Sequence, residues 1–121
     1  MSVVLAMWRK PVAEKLKSKL RGMLDTPVIC EYDYTKIEDN VRVAGADVIL
    51  IEITETGKFD FDYCLKLCAR LRAHNRKLLL LCPEQDESCV SAVIKAERQG
   101  LIDDFIFYGA SIDYVASKIL A

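Results

Sequence analysis

The chain has 121 residues, 52% of them hydrophobic and 29% charged, and its 17 basic and 18 acidic side chains leave a formal net charge of −1. One domain with one hydrophobic core fits this length, and the composition excludes a disordered segment and a membrane-embedded protein. The chain lacks the basic excess of a nucleic-acid-binding protein, and its start places apolar residues before the first charges, the reverse of a secretory signal. We therefore expect a cytoplasmic domain that binds neither nucleic acid nor a membrane.

Five short apolar runs along the chain are the predicted strands. A continuous apolar run is typical of a strand that is buried on both faces of a parallel sheet. The runs occupy residues 3–7, 28–30, 47–53, 78–82 and 105–108.

A stretch with apolar residues at helical spacing follows each strand. The predicted helices cover residues 11–23, 35–44, 61–71, 90–100 and 112–120. Pro11 opens the first helix, and a capping box of Thr35 and Glu38 opens the second. Asp60 and Ser111 are the predicted N-caps of the third and fifth helices.

This alternation of strands and helices predicts an α/β fold in which helices cover both faces of a parallel five-stranded sheet. Right-handed crossovers favour the flavodoxin-like (βα)₅ three-layer sandwich with strand order 2-1-3-4-5. A functional site in such a fold lies beyond the carboxyl ends of the strands. The residues at those ends are Met7, Trp8, Glu52, Cys82 and Tyr108.

Two segments of the chain resemble the receiver domains of two-component response regulators. The first is ADVILIEITETGKFDFDYCLKLCARLRAHNRKLLLLCPE, which is similar to the middle of a receiver, and the second is RQGLIDDFIFYGAS, which is similar to the segment around its last strand. The element order matches over essentially the whole chain. The resemblance implies one receiver-like domain over residues 1–121, either as the amino-terminal part of a longer regulator or as a stand-alone protein.

The resemblance also places the catalytic positions of the family on residues of other types. The acidic pair that holds Mg²⁺ in receivers falls on Met7 and Trp8, and the phospho-accepting aspartate falls on Glu52. Met and Trp side chains offer none of the hard oxygen ligands that Mg²⁺ prefers. We therefore expect no bound metal, no other cofactor and no catalytic residue here.

The remaining family positions lie on the fourth and fifth strands. The Thr or Ser of the activation switch falls on Cys82, and the aromatic residue that changes rotamer in that switch falls on Phe105. The lysine that ends the fifth strand of receivers falls on Tyr108. A phenol lacks the positive charge with which lysine holds a phosphoryl group. The pattern resembles a degenerate receiver, a pseudo-receiver.

Three interpretations remain open for Glu52. We expect its carboxylate to lie in water at the strand end, and the alternatives are a phosphate mimic that fixes one conformation and residual phospho-acceptance. Met7 and Trp8 are expected to pack into the space that a metal occupies in a working receiver.

The thiols raise a separate hypothesis, a thiol-dependent enzyme or redox protein that uses Cys82 alone or together with Cys89. A helix start near a thiol favours the thiolate. The loop CPEQDESC, however, carries Glu84, Asp86 and Glu87, which would repel phosphate. We expect Cys82 to be a buried, unreactive replacement for Thr.

Metal-ligand spacing is poor elsewhere in the chain. Cys64 and Cys68 fall on the apolar face of the third helix, and the single histidine, His74, lies in a charged stretch. The short CxxC pairs of structural zinc sites are missing. We expect five reduced thiols, because their number is odd and the core is large enough without disulfides.

The resemblance implies a non-enzymatic signalling domain that works without phosphorylation. Receivers dock through the face formed by helix 4, strand 5 and helix 5, which here includes Phe107, Tyr108, Tyr114 and the exposed side of residues 92–98. The expected partner is another protein or a second copy of the chain, with a carboxy-terminal output domain as a further possibility. A small-molecule sensor at the vacated phosphorylation pocket is an alternative.

Overall fold

The computed structural model describes residues 1–23, 25, 27–72 and 75–121. These residues form a five-stranded sheet of order β2-β1-β3-β4-β5, in which every neighbouring pair is parallel. The strands are β1 (Val3–Ala6), β2 (Val28–Glu31), β3 (Val48–Glu52), β4 (Lys77–Cys82) and β5 (Asp104–Phe107). The predicted flavodoxin-like fold and its strand order are confirmed. His74 lies outside the described residues.

Helices connect the strands as the sequence predicts. They are α1 (Lys10–Arg21), α2 (Ile37–Ala44), α3 (Phe61–Leu71), α4 (Glu87–Arg98) and α5 (Ile112–Leu120), with a 3₁₀ turn at Tyr34–Lys36 before α2. Within the described residues, none of the helices is long and apolar enough to cross a membrane.

Two of the four predicted helix starts, at Asp60 and Ser111, are confirmed, and the one at Thr35 is wrong. Pro11 is the second residue of α1, which begins one residue earlier than predicted. The side chains of Asp60 and Ser111 accept hydrogen bonds from the third backbone N–H that follows each of them, at 3.1 Å in both cases. Thr35 does not cap α2, because its hydroxyl is turned back to Asp33, which caps the preceding 3₁₀ turn. Both the N–H and the hydroxyl of Thr35 donate to the Asp33 carboxylate, at 3.0 and 2.6 Å. Glu38 pairs with Arg70 instead, at 2.9 Å.

The core consists of two apolar layers, one on each face of the sheet. Because successive strand residues point to opposite faces, Val4 and Ala6 of β1 pack under α2, α3 and α4, whereas Val3 and Leu5 pack under α1 and α5. Met7 continues the second series and is fully buried beneath α1. The alternation therefore decides which side of the sheet each strand-end residue faces.

Candidate functional site

The carboxyl ends of β1, β3 and β5 bring together part of the predicted set. Trp8 follows β1, Glu52 ends β3 and Tyr108 follows β5. The Trp8 indole N–H donates to the Tyr108 hydroxyl at 3.4 Å, and the Trp8 backbone N–H donates to Glu52 at 3.0 Å. Met7 lies in the core layer under α1 and α5, and Cys82 faces α4 on the other side of the sheet.

The Glu52 carboxylate is fully buried, so the prediction that it lies in water is wrong. One of its oxygens accepts the backbone N–H groups of Trp8 and Arg9, at 3.0 and 3.1 Å. The other accepts from Arg9 Nε at 2.5 Å. A buried charge is tolerated only when it is paired and hydrogen-bonded, and the turn between β1 and α1 supplies all three donors.

Arg9 is one of two site residues that were not predicted from the sequence as partners of Glu52. Its guanidinium forms an ion pair with Glu52 and lies 4.0 Å from the centre of the Tyr108 ring, where it makes a cation–π contact. The Arg9 side chain is 26% exposed, so one side of the pair reaches solvent. One feature of the sequence could have indicated this pair: Arg9 is the first basic residue after the first strand, and Glu52 is an acid at the end of the third strand.

Two tyrosines close the site from either side of Glu52. The Tyr108 hydroxyl donates to the Ile53 carbonyl oxygen, and the Tyr34 hydroxyl donates to the Glu52 carbonyl oxygen at 2.5 Å. Burial raises the pKa of both hydroxyls above the ordinary tyrosine value, so both rings stay neutral. Tyr34 was not among the predicted site residues, because its position in the 3₁₀ turn could not be read from the sequence.

Trp8 does not fill buried space as predicted, since 47% of it is exposed. Its ring lies over the outer edge of the site beside Tyr108. Met7 does pack internally, in the apolar layer under α1 and α5. Within the part of the chain that the structure describes, no three His, Cys, Asp or Glu side chains are grouped so that they could hold a metal ion.

Cys82 and Phe105 lie on the α4 side of the sheet. Cys82 is fully buried, and its sulfur lies 3.5 Å from that of Cys89 in the first turn of α4. Phe105 is half-buried and packs against the same apolar layer, with its ring 5.7 Å from that of Phe107. These two positions are therefore separate from the charged site at Glu52.

Solved structures share this architecture, although no family model and no curated protein matches the chain. The BeF₃-activated N-terminal receiver domain of RstA from Klebsiella pneumoniae aligns with a TM-score of 0.77 at 19% identity, over 99% of this chain and 96% of that one. A response regulator from Thermotoga maritima aligns with a TM-score of 0.76 at 17% identity, over 98% of this chain and 93% of that one.

An adenylate cyclase from Rhodopirellula baltica aligns with a TM-score of 0.79 at 18% identity, over 98% of this chain and 84% of that one. The chain therefore has the fold of response-regulator receiver domains. At these identities the likeness establishes the fold alone.

Proposed function

We propose that this chain is a cytoplasmic signalling domain of the pseudo-receiver kind, which works without phosphorylation and acts through contacts with another protein rather than as an enzyme. The receiver fold supports the signalling role. The residue types at the ends of the strands support independence from phosphate.

The proposal rests mainly on the hydrogen bonds that the buried Glu52 carboxylate already accepts within the chain. Phosphoryl transfer to a carboxylate needs an exposed oxygen as nucleophile and a divalent cation that neutralises the phosphate. Both Glu52 oxygens are buried and already accept N–H donors, two of them from Arg9. The Arg9 guanidinium supplies within the chain the positive charge that a receiver takes from metal and lysine.

This internal pair also favours the interpretation of Glu52 as a fixed phosphate mimic. A phosphorylated receiver holds a negative group at the end of its third strand, compensated by cations. Here a carboxylate one methylene longer than aspartate occupies that place, and Arg9 compensates it at 2.5 Å. The site therefore holds one electrostatic state without an added ligand.

The proposed docking surface is the face formed by α4, β5 and α5. Phe107 and Tyr114 are 39% and 49% exposed there, although both are large and apolar. Together with Lys118 and Glu84 they line a surface cavity of about 470 Å³. Exposed aromatic residues beside charged ones are typical of the core and rim of protein interfaces. We propose a protein partner for this face, and a second copy of the chain is the outcome that a concentration-dependent change of mass would reveal.

Exposure to acetyl phosphate and Mg²⁺ tests the proposal directly. We expect no phosphoryl adduct, which would add about 80 Da to the intact mass, and no change in the fluorescence of Trp8 beside the site. A receiver domain with an intact aspartate serves as the positive control. An adduct that disappears in Glu52→Gln would overturn phosphorylation independence.

A further inference from the structure

Two thiols outside the charged site lie close enough to react with each other. The sulfur atoms of Cys82 and Cys89 are 3.5 Å apart. Cys82 ends β4, and Cys89 lies in the first turn of α4, so the pair spans the loop of residues 83–88. The function proposed above does not use either thiol.

The loop holds Cys89 in place through the cap of α4. The Asp86 carboxylate accepts the Cys89 backbone N–H at 3.1 Å and the Ser88 hydroxyl at 2.9 Å. The Asp86 N–H in turn donates to the Pro83 carbonyl oxygen at 3.2 Å, which closes the turn after β4. A disulfide requires its sulfurs to approach to about 2.05 Å, and rotation of two short side chains on this anchored loop can supply most of that movement.

The two thiols are not equivalent. The hydrogen bond that the two sulfurs share raises the pKa of Cys82 and lowers the pKa of Cys89. The amino terminus of α4 also favours a negative sulfur at Cys89. Burial and the carboxylates of Asp86 and Asp60 oppose ionisation of Cys89, but the shared hydrogen bond outweighs them, so the pKa of Cys89 is lowered overall. Cys89 is therefore the more acidic thiol of the pair, and Cys82 is the partner placed to react next.

Cys89 is also the more accessible of the two thiols, with 6% of the residue exposed. It lines a cavity of about 290 Å³, whereas Cys82 is completely enclosed. Carboxylates surround the cavity, namely those of Glu55, Asp60, Asp62 and Asp86. This wall disfavours anionic oxidants such as glutathione disulfide and admits a small neutral oxidant such as hydrogen peroxide.

We propose that Cys82 and Cys89 form a reversible oxidation site that hydrogen peroxide closes into an intramolecular disulfide. The Cys89 thiolate attacks one peroxide oxygen, the O–O bond breaks, and the products are a Cys89 sulfenic acid and hydroxide, which takes up a proton to become water. Cys82 then attacks the sulfenic sulfur, the S–O bond breaks, and a second water leaves. The two thiols together lose two electrons and two protons, and one peroxide becomes two waters. A dithiol reductant reverses the reaction by thiol–disulfide exchange.

The disulfide would fix the start of α4 on the end of β4. The same loop carries Glu84, whose carboxylate accepts the Gly109 N–H at 3.0 Å and borders the cavity beside Phe107. Oxidation would therefore restrain one edge of the α4–β5–α5 face. This consequence rests on the proposed function, whereas formation of the disulfide does not.

The experiment treats the folded, reduced protein with hydrogen peroxide and follows the intact mass, the count of free thiols after denaturation and the disulfide-linked peptides. We expect a loss of about 2 Da. We expect the thiol count to fall from five to three, since one disulfide consumes two of the five cysteines, and a single cross-linked pair of peptides that contain Cys82 and Cys89. Dithiothreitol should restore all five thiols.

Matched variants separate this site from general thiol oxidation. Cys82→Ala and Cys89→Ala should each abolish the intramolecular disulfide, and Cys68→Ala, which removes a buried thiol of α3, should leave its rate within about twofold. Circular dichroism confirms that each variant is folded, and Cys82→Ser serves if Cys82→Ala is not. Peroxide treatment that leaves five free thiols, joins Cys89 to Cys64 or only links two chains would overturn the proposal. None of these readouts involves phosphate or partner binding, so their failure would leave the proposed function standing.

Discussion

The charged site at Glu52 and the thiol pair at Cys82 lie at the carboxyl ends of neighbouring strands, but they differ in chemical freedom. Glu52 is buried with three N–H donors and one compensating charge, so its partners are all supplied by the chain. Cys82 and Cys89 are uncharged as thiols and can lose a pair of electrons to form a bond. The proposed disulfide would therefore place redox chemistry at the end of one strand, whereas the end of the neighbouring strand holds a fixed ion pair.

The largest expected effect comes from breaking the ion pair. Arg9→Ala leaves the Glu52 carboxylate buried with backbone donors alone, and we expect the free energy of unfolding to fall by about 2–4 kcal/mol, because an uncompensated buried charge is costly. Urea denaturation measures the change. Lys15→Ala, which removes an exposed basic side chain from the same segment, should change stability by less than about 0.5 kcal/mol. Equal losses in the two variants would show that the Glu52 site is not held together by this pair.

A smaller effect is expected from the phenol that closes the site. Tyr108→Phe keeps the ring beneath Arg9 but removes the hydroxyl that donates to the Ile53 carbonyl oxygen, and we expect a loss of about 1–2 kcal/mol in the free energy of unfolding. Tyr114→Phe, at a tyrosine that is 49% exposed, is the control and should be nearly neutral.

Tyr108→Phe should also change how the free energy of unfolding depends on pH. The pKa of Tyr108 is raised by burial in the folded protein, so the stabilisation that comes from keeping its proton is complete below the unfolded value of about 10 and is lost as the pH rises toward the folded value. The stability of the parent protein should therefore fall more steeply above about pH 10 than that of Tyr108→Phe. Parallel alkaline slopes in urea titrations would contradict the assignment of a buried, neutral phenol.

The smallest effect on stability is expected at the docking face. Phe107→Ser removes an exposed aromatic side chain and should change the free energy of unfolding by less than about 1 kcal/mol, while it weakens association through this face. Sedimentation velocity over a range of concentrations detects self-association, and Val43→Ser on α2 is the control because Val43 is 87% exposed. Loss of self-association in both variants alike would argue against the α4–β5–α5 face.

The sequence predicted the layers of the fold well because each strand is a continuous apolar run and each helix has an apolar stripe. The same rules failed for Thr35, whose N–H and hydroxyl both donate to Asp33 two residues upstream, so that its hydroxyl caps no helix. The spacing of apolar residues predicted the second helix correctly, but it did not predict the 3₁₀ turn that Asp33 caps before that helix.

The sequence predicted where the candidate site lies in the fold but not which side chains contact each other there. Glu52 and Tyr108 lie at predicted strand ends, since parallel strands share one carboxyl edge. Arg9 and Tyr34 were missed, because their contacts join residues 43 and 18 positions apart in the chain. The prediction that Glu52 lies in water was wrong because the turn between β1 and α1 covers its carboxylate. The apolar pattern of the strand does not reveal the position of that turn.

Local sequence patterns were sufficient to predict the alternation of strands and helices, their order in the sheet and the residue types at the strand ends. These follow from local periodicity and from the handedness of the connections, which need no knowledge of distant contacts. The ion pair of Arg9 with Glu52 and the contact of Cys82 with Cys89 became apparent only in the folded chain. Such pairings depend on the side of the sheet that each residue faces and on how each loop folds back, and both are set by packing of the whole chain.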